Sequence, residues 1–381
     1  MAPFNTVNEI MKKPFSTLII STVIFIALLF GAEFLLGLFS DQEPKRQVAR
    51  RHILLKEHSP NTSFTYNQPI AFFSRGESNG KIREVRFEID QKGYIEPSNL
   101  LNNPDVSIAF LGGSTTECSS VAESKRFPYV VGQLLNKDGL KVNTLNAGVS
   151  GNTSAHTLNI YLNKVIVEEP DIAVMMHNIN DLHILLNNKG YWGTNGIPDH
   201  IIVENRSFKS ALFNKVGSIF PNMIARIANV RNRFRKRPII PIRKLPKLTE
   251  DDRQLIFRQF EENLKLFISI SRIKGITPVL MTQASRIKND FIGVEIGIGI
   301  IEQRFNMPFQ DYKVLYAQMN QVIRDVCEEE SVLIIDLDML VAPEYIFDSV
   351  HFTDEGSEFV AGLIAEQLTP LAKAIIGRSE D

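Results

Sequence analysis

Five short apolar runs, separated by stretches of helical character, limit the folds open to this chain more than any other feature. "VSIAFLG" (106–112), "KVNTLNAG" (141–148), "DIAVMMHN" (171–178), "TPVLMTQ" (277–283) and "SVLIIDLD" (331–338) are rich in β-branched residues and apolar at consecutive positions. A strand that is apolar on both faces has to be covered on both, which is the condition of a parallel sheet between two helical layers. "FPYVVGQLLNK" (127–137), "EDDRQLIFRQFEENLKLFISISRIKG" (250–275), "YKVLYAQMNQVIRDVCEEE" (312–330) and "DEGSEFVAGLIAEQLTPLAKAII" (354–376) supply those layers. The alternation predicts an α/β domain over 105–376, a doubly wound, flavodoxin-like three-layer α/β/α arrangement with a five-stranded parallel sheet. Two long interruptions, at about 185–248 and 286–311, read as insertions, since loops of that length are usually functional.

Ahead of this domain lies "FSTLIISTVIFIALLFGAEFLLGLFS" (15–40), which is uncharged from Phe15 to Ala32. At ~1.5 Å per residue that part crosses most of a hydrocarbon core of roughly 30 Å. The segment predicts one N-terminal transmembrane helix after a short tail (1–14). Phe30-Gly31-Ala32 puts a bulky residue where signal cleavage needs a small one, so an uncleaved anchor is expected. Glu33 lies near the far end, within reach of the interface. Lys12 and Lys13 stand on one side, Lys45, Arg46, Arg50, Arg51 and Lys56 on the other. A literal positive-inside count would keep the large domain in the cytoplasm. A short basic N-terminus before a single span is nevertheless the usual form of an export anchor, and long domains cross largely regardless of charge. An extracytoplasmic domain is therefore expected. Residues 41–104 form a polar linker leading into the domain, with "IREVRFEIDQKGYI" (82–95) alternating as a hairpin about Lys92-Gly93.

A formal net charge of −1 gives no global attraction to nucleic acid. The one concentrated basic stretch, "RIANVRNRFRKRPIIPIRKLPK" (226–247), has a single aromatic residue, Phe234, which argues against stacking on single-stranded bases. It reads as a solvated basic face, or as a surface for anionic lipid or an acidic polymer. Cys118 and Cys327 lie far apart and have no metal-ligand spacing. His156, His177 and His183 also lack a ligand pattern and read as polar lining. No metal or organic cofactor is expected.

Chemistry-bearing residues gather where a doubly wound sheet places its ligands, beyond the carboxyl ends of the strands. "GGSTTE" after the first strand offers Ser114, and "GVSGNT" after the second offers Gly151. "HNIND" after the third offers Asn180 and Asp181, and "DSVH" before the last helix offers Asp348 and His351. Acyl transfer through a serine needs a base within hydrogen-bond reach, an orienting carboxylate and preorganised donors for the developing oxyanion. Asp348 and His351 are spaced so that one turn presents both. Backbone N–H groups at Ser114 and Gly151 and the side-chain amide of Asn180 are the candidate oxyanion donors. Asp181 reads as a cap for the helix that follows, and Glu117 as a residue at the mouth.

These four blocks, in this order, resemble the SGNH or GDSL-type hydrolase superfamily. The resemblance implies Ser114 as nucleophile, His351 as base, Asp348 as its partner, and Ser114, Gly151 and Asn180 as the oxyanion hole. It implies hydrolysis of a small-molecule or glycan ester, in which a carbohydrate or a lipid can carry the acyl group. Two departures stand out: Gly113 where the family has aspartate, and Asn178 where glycine is usual. Two alternatives share the blocks. An O-acyltransferase or deacetylase of polysaccharide modification would use the same residues, and a catalytically silent glycan-binding scaffold would keep only the fold.

Overall fold

The computed structural model of the chain describes residues 20–25, 27–28, 51–53, 55–69, 82–98, 101–192, 202–204, 245–289 and 298–379. The chain divides into a smaller unit, Met1–His52 with Glu204–Phe213, and a larger one, Ile53–Val203 with Asn214–Asp381. In the smaller unit, residues 20–25 and 27–28 are helical and exposed. The rest of the expected anchor at 15–40 lies outside the described residues. So does the basic stretch 226–247, apart from its last three residues.

The larger unit begins with a small antiparallel sheet of β1 (Ser63–Pro69), β2 (Ile82–Ile89) and β3 (Ile95–Glu96), in that order. The turn from β2 to β3 follows the expected hairpin. Asp90 accepts from the backbone N–H of Lys92 and of Tyr94, each at 2.8 Å, and Gly93 takes a φ of 84°, which its missing Cβ permits. Strand β1, paired from Ser63 with Glu88 to Pro69 with Ile82, carries no clear strand pattern in the sequence. Arg126 fastens this sheet to the main domain. Its guanidinium donates to the carbonyls of Glu96 and of Arg86 (2.8 Å) and lies 4.7 Å from the centre of the Phe87 ring.

The main sheet contains β4 (Val106–Gly112), β5 (Val142–Asn146), β6 (Ile172–Met176), β7 (Thr277–Met281) and β8 (Leu333–Ile335). All pairs are parallel, in the order β8-β7-β6-β4-β5. The sheet is the five-stranded parallel one expected, although each later strand is shorter than its apolar run. The trailing residues, such as Ala147-Gly148 and His177-Asn178, leave the sheet to form the loops at its carboxyl edge. The order reverses between β4 and β6, and that reversal opens the crevice in which such sheets bind ligands.

Helices cover both faces, as the two-sided apolar strands demand. On one face lie α2 (Phe127–Lys137) and α8 (Asp354–Ser379), with Val131, Leu135, Val360, Ile364 and Leu368 in the core. The opposite face carries α3 (Ser154–Asn163), α4 (Ile179–Asn188), α5 (Glu250–Ile273) and α7 (Phe309–Glu330). In α5 the buried residues Ile256, Phe260, Leu264, Phe267 and Ser271 follow a helical stripe, and Thr249 with Asp252 forms a capping box at its start. Within the stretch read as an insertion at 286–311, α6 (Ile298–Phe305) buries Ile301 and Phe305 in the same core. Asp354–Gly377 is long and apolar enough to cross a membrane, with a mean hydropathy of 1.4. Its buried face is nevertheless a wall of the domain core, so this helix has the sequence of a layer between sheet and solvent.

Candidate active site

Register brings the blocks together before any side chain is considered. Gly112 pairs with Met176 across β4 and β6, and Phe110 pairs with Asn146 across β4 and β5. Ser114 therefore emerges beside Asn178–Asn180 on one side and Ser150–Asn152 on the other. It opens α1 (Ser114–Glu117), directly after Gly113 in extended backbone (φ −90°, ψ −152°). Gly113 is needed for room. A Cβ there would stand 2.6 Å from Nδ2 of Asn180 and 3.2 Å from the carbonyl oxygen of Asn152.

The Asp348–His351 turn is built by its own carboxylate. Asp348 Oδ1 accepts from the backbone N–H of Val350 (2.9 Å) and of His351 (2.8 Å), while Oδ2 faces His351 Nδ1 at 2.6 Å. The other ring nitrogen, Nε2, lies 2.7 Å from Ser114 Oγ. Arg286, after β7, braces this turn by donating its backbone N–H to Ser349 and its guanidinium to the carbonyls of Ile346 and Phe347. For Asp348, burial would raise the pKa, but the hydrogen bonds and charge of His351 and the two backbone donors hold it below the usual carboxylate range. For His351, burial would lower the pKa, but the Asp348 bond and charge, with the charge of Glu117, lift it above its ordinary value. An ionised Asp348 fixes the proton on Nδ1 and leaves Nε2 as acceptor for the serine hydroxyl.

The oxyanion candidates flank the same serine. Gly151 has a φ of 74°, in the left-handed region where glycine is at ease, and its loop is stitched to β4 by Val149 N–H donating to Gly112 (3.1 Å). The Asn180 amide donates to the carbonyl of Asn152 at 2.9 Å, linking the second block to the third. Asn178, at the start of α4, is buried and donates to Asn320 Oδ1 (2.8 Å) and the Tyr316 carbonyl (3.1 Å) on α7. Gln283, just past β7, accepts from Ile179 N–H at 3.0 Å and donates to Thr115 Oγ1 at 2.9 Å, joining the starts of α4 and α1.

Other residues singled out in the sequence prove to be framework. Asp181 does not cap its own helix, where Asn178 occupies the N-cap. It is fully buried and accepts the backbone N–H of Ser154, so it serves the first turn of α3 instead. Tyr191 donates to it at 2.7 Å, and burial raises its pKa to about 6. His156 belongs to the capping box of α3 with Thr153. His177, with Nε2 2.8 Å from Thr157 Oγ1, and His183, with Nε2 2.8 Å from Tyr312 OH, are each pushed down to about 3, chiefly by burial. Glu117 is not a mouth residue: it is 1% exposed, with His58 Nε2 3.0 Å from its Oε1. The sequence pattern carries no signal for Gln283 or His58, whose partners lie far away in the chain.

The profile of the GDSL-like lipase/acylhydrolase family matches residues 110–359, about two thirds of the chain, and spans all four blocks. The chain belongs to this family. It is therefore an ester-hydrolysing enzyme by family, with the parallel α/β sheet of a GDSL hydrolase. Solved structures similar to it include the acetyl xylan esterase AlAXEase, with 16% identity and a TM-score of 0.41 over 68% of this chain and 98% of that one. The lipase/acylhydrolase of Enterococcus faecalis shows 18% identity and a TM-score of 0.40 over 70% and 96%. The acetylxylan esterase Axe2 of Geobacillus stearothermophilus shows 17% and 0.40 over 69% and 94%. A comparison with curated proteins finds no match.

Proposed function

We propose that this GDSL-family chain is a membrane-anchored serine esterase in which Ser114, His351 and Asp348 act as the catalytic triad. The observation that carries the reading is the continuous line of short contacts from Asp348 Oδ2 through the His351 ring to Ser114 Oγ, at 2.6 and 2.7 Å. As Ser114 Oγ attacks the ester carbonyl, its proton passes to His351 Nε2, and Asp348 stabilises the imidazolium. The carbonyl oxygen gathers negative charge and takes hydrogen bonds from Ser114 N–H, Gly151 N–H and Asn180 Nδ2. Each such donor is worth roughly 3–4 kcal/mol when removed. Collapse of the tetrahedral intermediate breaks the bond to the alcohol oxygen, which leaves with the proton from His351. Water, giving one proton to the same nitrogen, then attacks the acyl-serine; the serine regains that proton and a carboxylic acid departs, ionising to the carboxylate in solvent.

The acyl group in this reading is carried by a carbohydrate or a lipid, and residues 15–40 hold the enzyme to the membrane with the domain outside the cytoplasm. The same line of contacts through His351 supports this reading over the silent scaffold, which has no use for a histidine poised between a carboxylate and a serine. A serine-directed fluorophosphonate should label the wild-type chain and leave Ser114→Ala and His351→Ala unlabelled. Wild-type protein that stays unlabelled where a control esterase reacts would overturn the reading. An acetylated sugar and a long-chain acyl ester, offered in parallel, separate the two substrate classes. Alkaline carbonate extraction of the full chain and of a form lacking 1–40 tests the anchor.

A further inference from the structure

We propose that His58 and Glu117 are positioning residues that clamp the loop bearing Gly151, so that the segment ahead of the family-matched region completes the active site. The proposal rests on the serine-esterase reading and adds to it a residue from outside 110–359. Glu117 lies one helical turn after Ser114 on α1 and is 1% exposed. Its Oε1 accepts the backbone N–H of Ser150 at 3.1 Å, its Oε2 accepts the Ser150 hydroxyl, and His58 Nε2 reaches Oε1 from the other side. Ser150 directly precedes Gly151. On the far flank of the glycine, Asn152 Nδ2 donates to the carbonyl of Lys56 at 3.2 Å, two residues from His58. The loop is thus held on both sides of Gly151, once by the carboxylate that His58 partners and once by the backbone of the same incoming strap.

The strap has its own footing on the domain. Glu57 Oε2 pairs with Lys164 Nζ at 3.0 Å, that ammonium also donates to the Gly93 carbonyl at 2.8 Å, and the His58 ring rests 5.4 Å from that of Phe87. Burying a carboxylate is costly unless donors surround it, so the charge on Glu117 depends on this docking. For Glu117, burial would raise the pKa, but the bonds from His58 and Ser150 outweigh it and hold the group below its usual range. The charge so retained adds to that of Asp348 in lifting His351. The groups that face the His351 ring are Asp348 on its own turn, Ser114 on α1, the Phe347 ring and, at longer range, Glu117.

The test uses the full chain with His58→Ala, His58→Gln and Glu117→Gln, assayed for p-nitrophenyl acetate hydrolysis across pH, with thermal melts and fluorophosphonate labelling alongside. His58→Ala should lower kcat by about ten- to a hundredfold, the scale of a misplaced catalytic group, with KM little changed. His58→Gln, whose amide nitrogen stands close to the place of Nε2, should recover most of the loss. Glu117→Gln should lower kcat and move the acid limb of kcat/KM to lower pH, because His351 loses a neighbouring negative charge; a merely structural role would leave that limb in place. Folded variants with wild-type kcat and an unmoved acid limb overturn the clamp while leaving the esterase reading intact. A wild-type chain that neither labels nor hydrolyses overturns the esterase reading and the clamp together.

Discussion

Gly113→Ala separates catalysis from stability at one position. The backbone at Gly113 is extended, so alanine meets no left-handed strain there. The main obstacle is the Asn180 amide, whose Nδ2 would lie 2.6 Å from the new Cβ and has to retreat by about 0.8 Å to reach the 3.4 Å of ordinary contact; the Asn152 carbonyl oxygen, at 3.2 Å, has to give by about 0.2 Å. That nitrogen ends a rotatable side chain, so the retreat is cheap for the fold: a loss of about 1 kcal/mol, the middle of the range for point substitutions. For the reaction the same displacement is expensive. Asn180 Nδ2 is a candidate oxyanion donor, and a shift of that size removes much of its hydrogen bond; loss of a whole donor costs ~100- to 1,000-fold in kcat. A tenfold to hundredfold fall in kcat is therefore expected, with KM nearly constant and a melting temperature close to wild type. Stopped-flow hydrolysis of p-nitrophenyl acetate, with active-site titration to count competent serines, measures both terms. Wild-type kcat in a fully titratable Gly113→Ala protein would refute the placement of Asn180 as an oxyanion donor.

Further outcomes follow from the same geometry. Asp348→Asn leaves the turn largely formed but removes the acceptor that keeps the proton on His351 Nδ1, so kcat should fall by about 10⁴-fold; a fall of less than tenfold in steady-state assays would contradict the triad. Asn178→Ala deletes two buried hydrogen bonds to α7 and should cost ~1–3 kcal/mol in denaturant unfolding. His177 and His183, both held near 3 chiefly by burial, should keep their ring resonances fixed between pH 5 and 8, whereas those of His351 titrate. Glu117 and Asp348 are both held below their ordinary values. Each therefore stabilises the fold above its unfolded pKa and loses that contribution as pH falls through its lower folded value. Glu117→Gln should flatten the acid arm of a plot of melting temperature against pH.

Most of the sheet was legible because its signal is local. A strand such as β6, buried along its whole length, has to be apolar at every position, and "IAVMM" can be read without knowing its neighbours. The stripe of α5 is local in the same way. Strand β1 was not legible, because "SFTYNQP" acquires its structure from pairing with β2 rather than from its own alternation. The residues of the proposed triad could be picked out through short blocks that each arrive at a strand end. Register then does what no block announces, setting Gly112 level with Met176 so that Ser114 and Asn180 become neighbours. The supports of the site were not legible. Gln283 reaches Thr115 across 168 residues of chain, and His58 reaches Glu117 across a shorter separation that is still far beyond any local pattern; sequence spacing holds no trace of such pairs.

The two departures from the family pattern take on a meaning once these supports are seen. Gly113 leaves the space that the Asn180 amide occupies, so the missing aspartate and the close approach of the proposed oxyanion donor are one feature. Asn178, in place of glycine, sends its amide to Asn320 and Tyr316, and Gln283 takes the next backbone N–H, so the start of α4 is tied to α7 and to the end of β7. Asn180 is thus fixed from behind through its helix and given room in front. A chain released from catalysis would gain nothing from either arrangement, since neither adds apolar burial and both leave polar groups needing partners inside the domain. It would equally have no reason to spend two of the three contacts of Asp348 on the backbone and ring of a single histidine, with the third on the backbone of Val350 in the same turn. In the proposed reading the departures tune the site, and Gly113→Ala is the substitution that tests this directly.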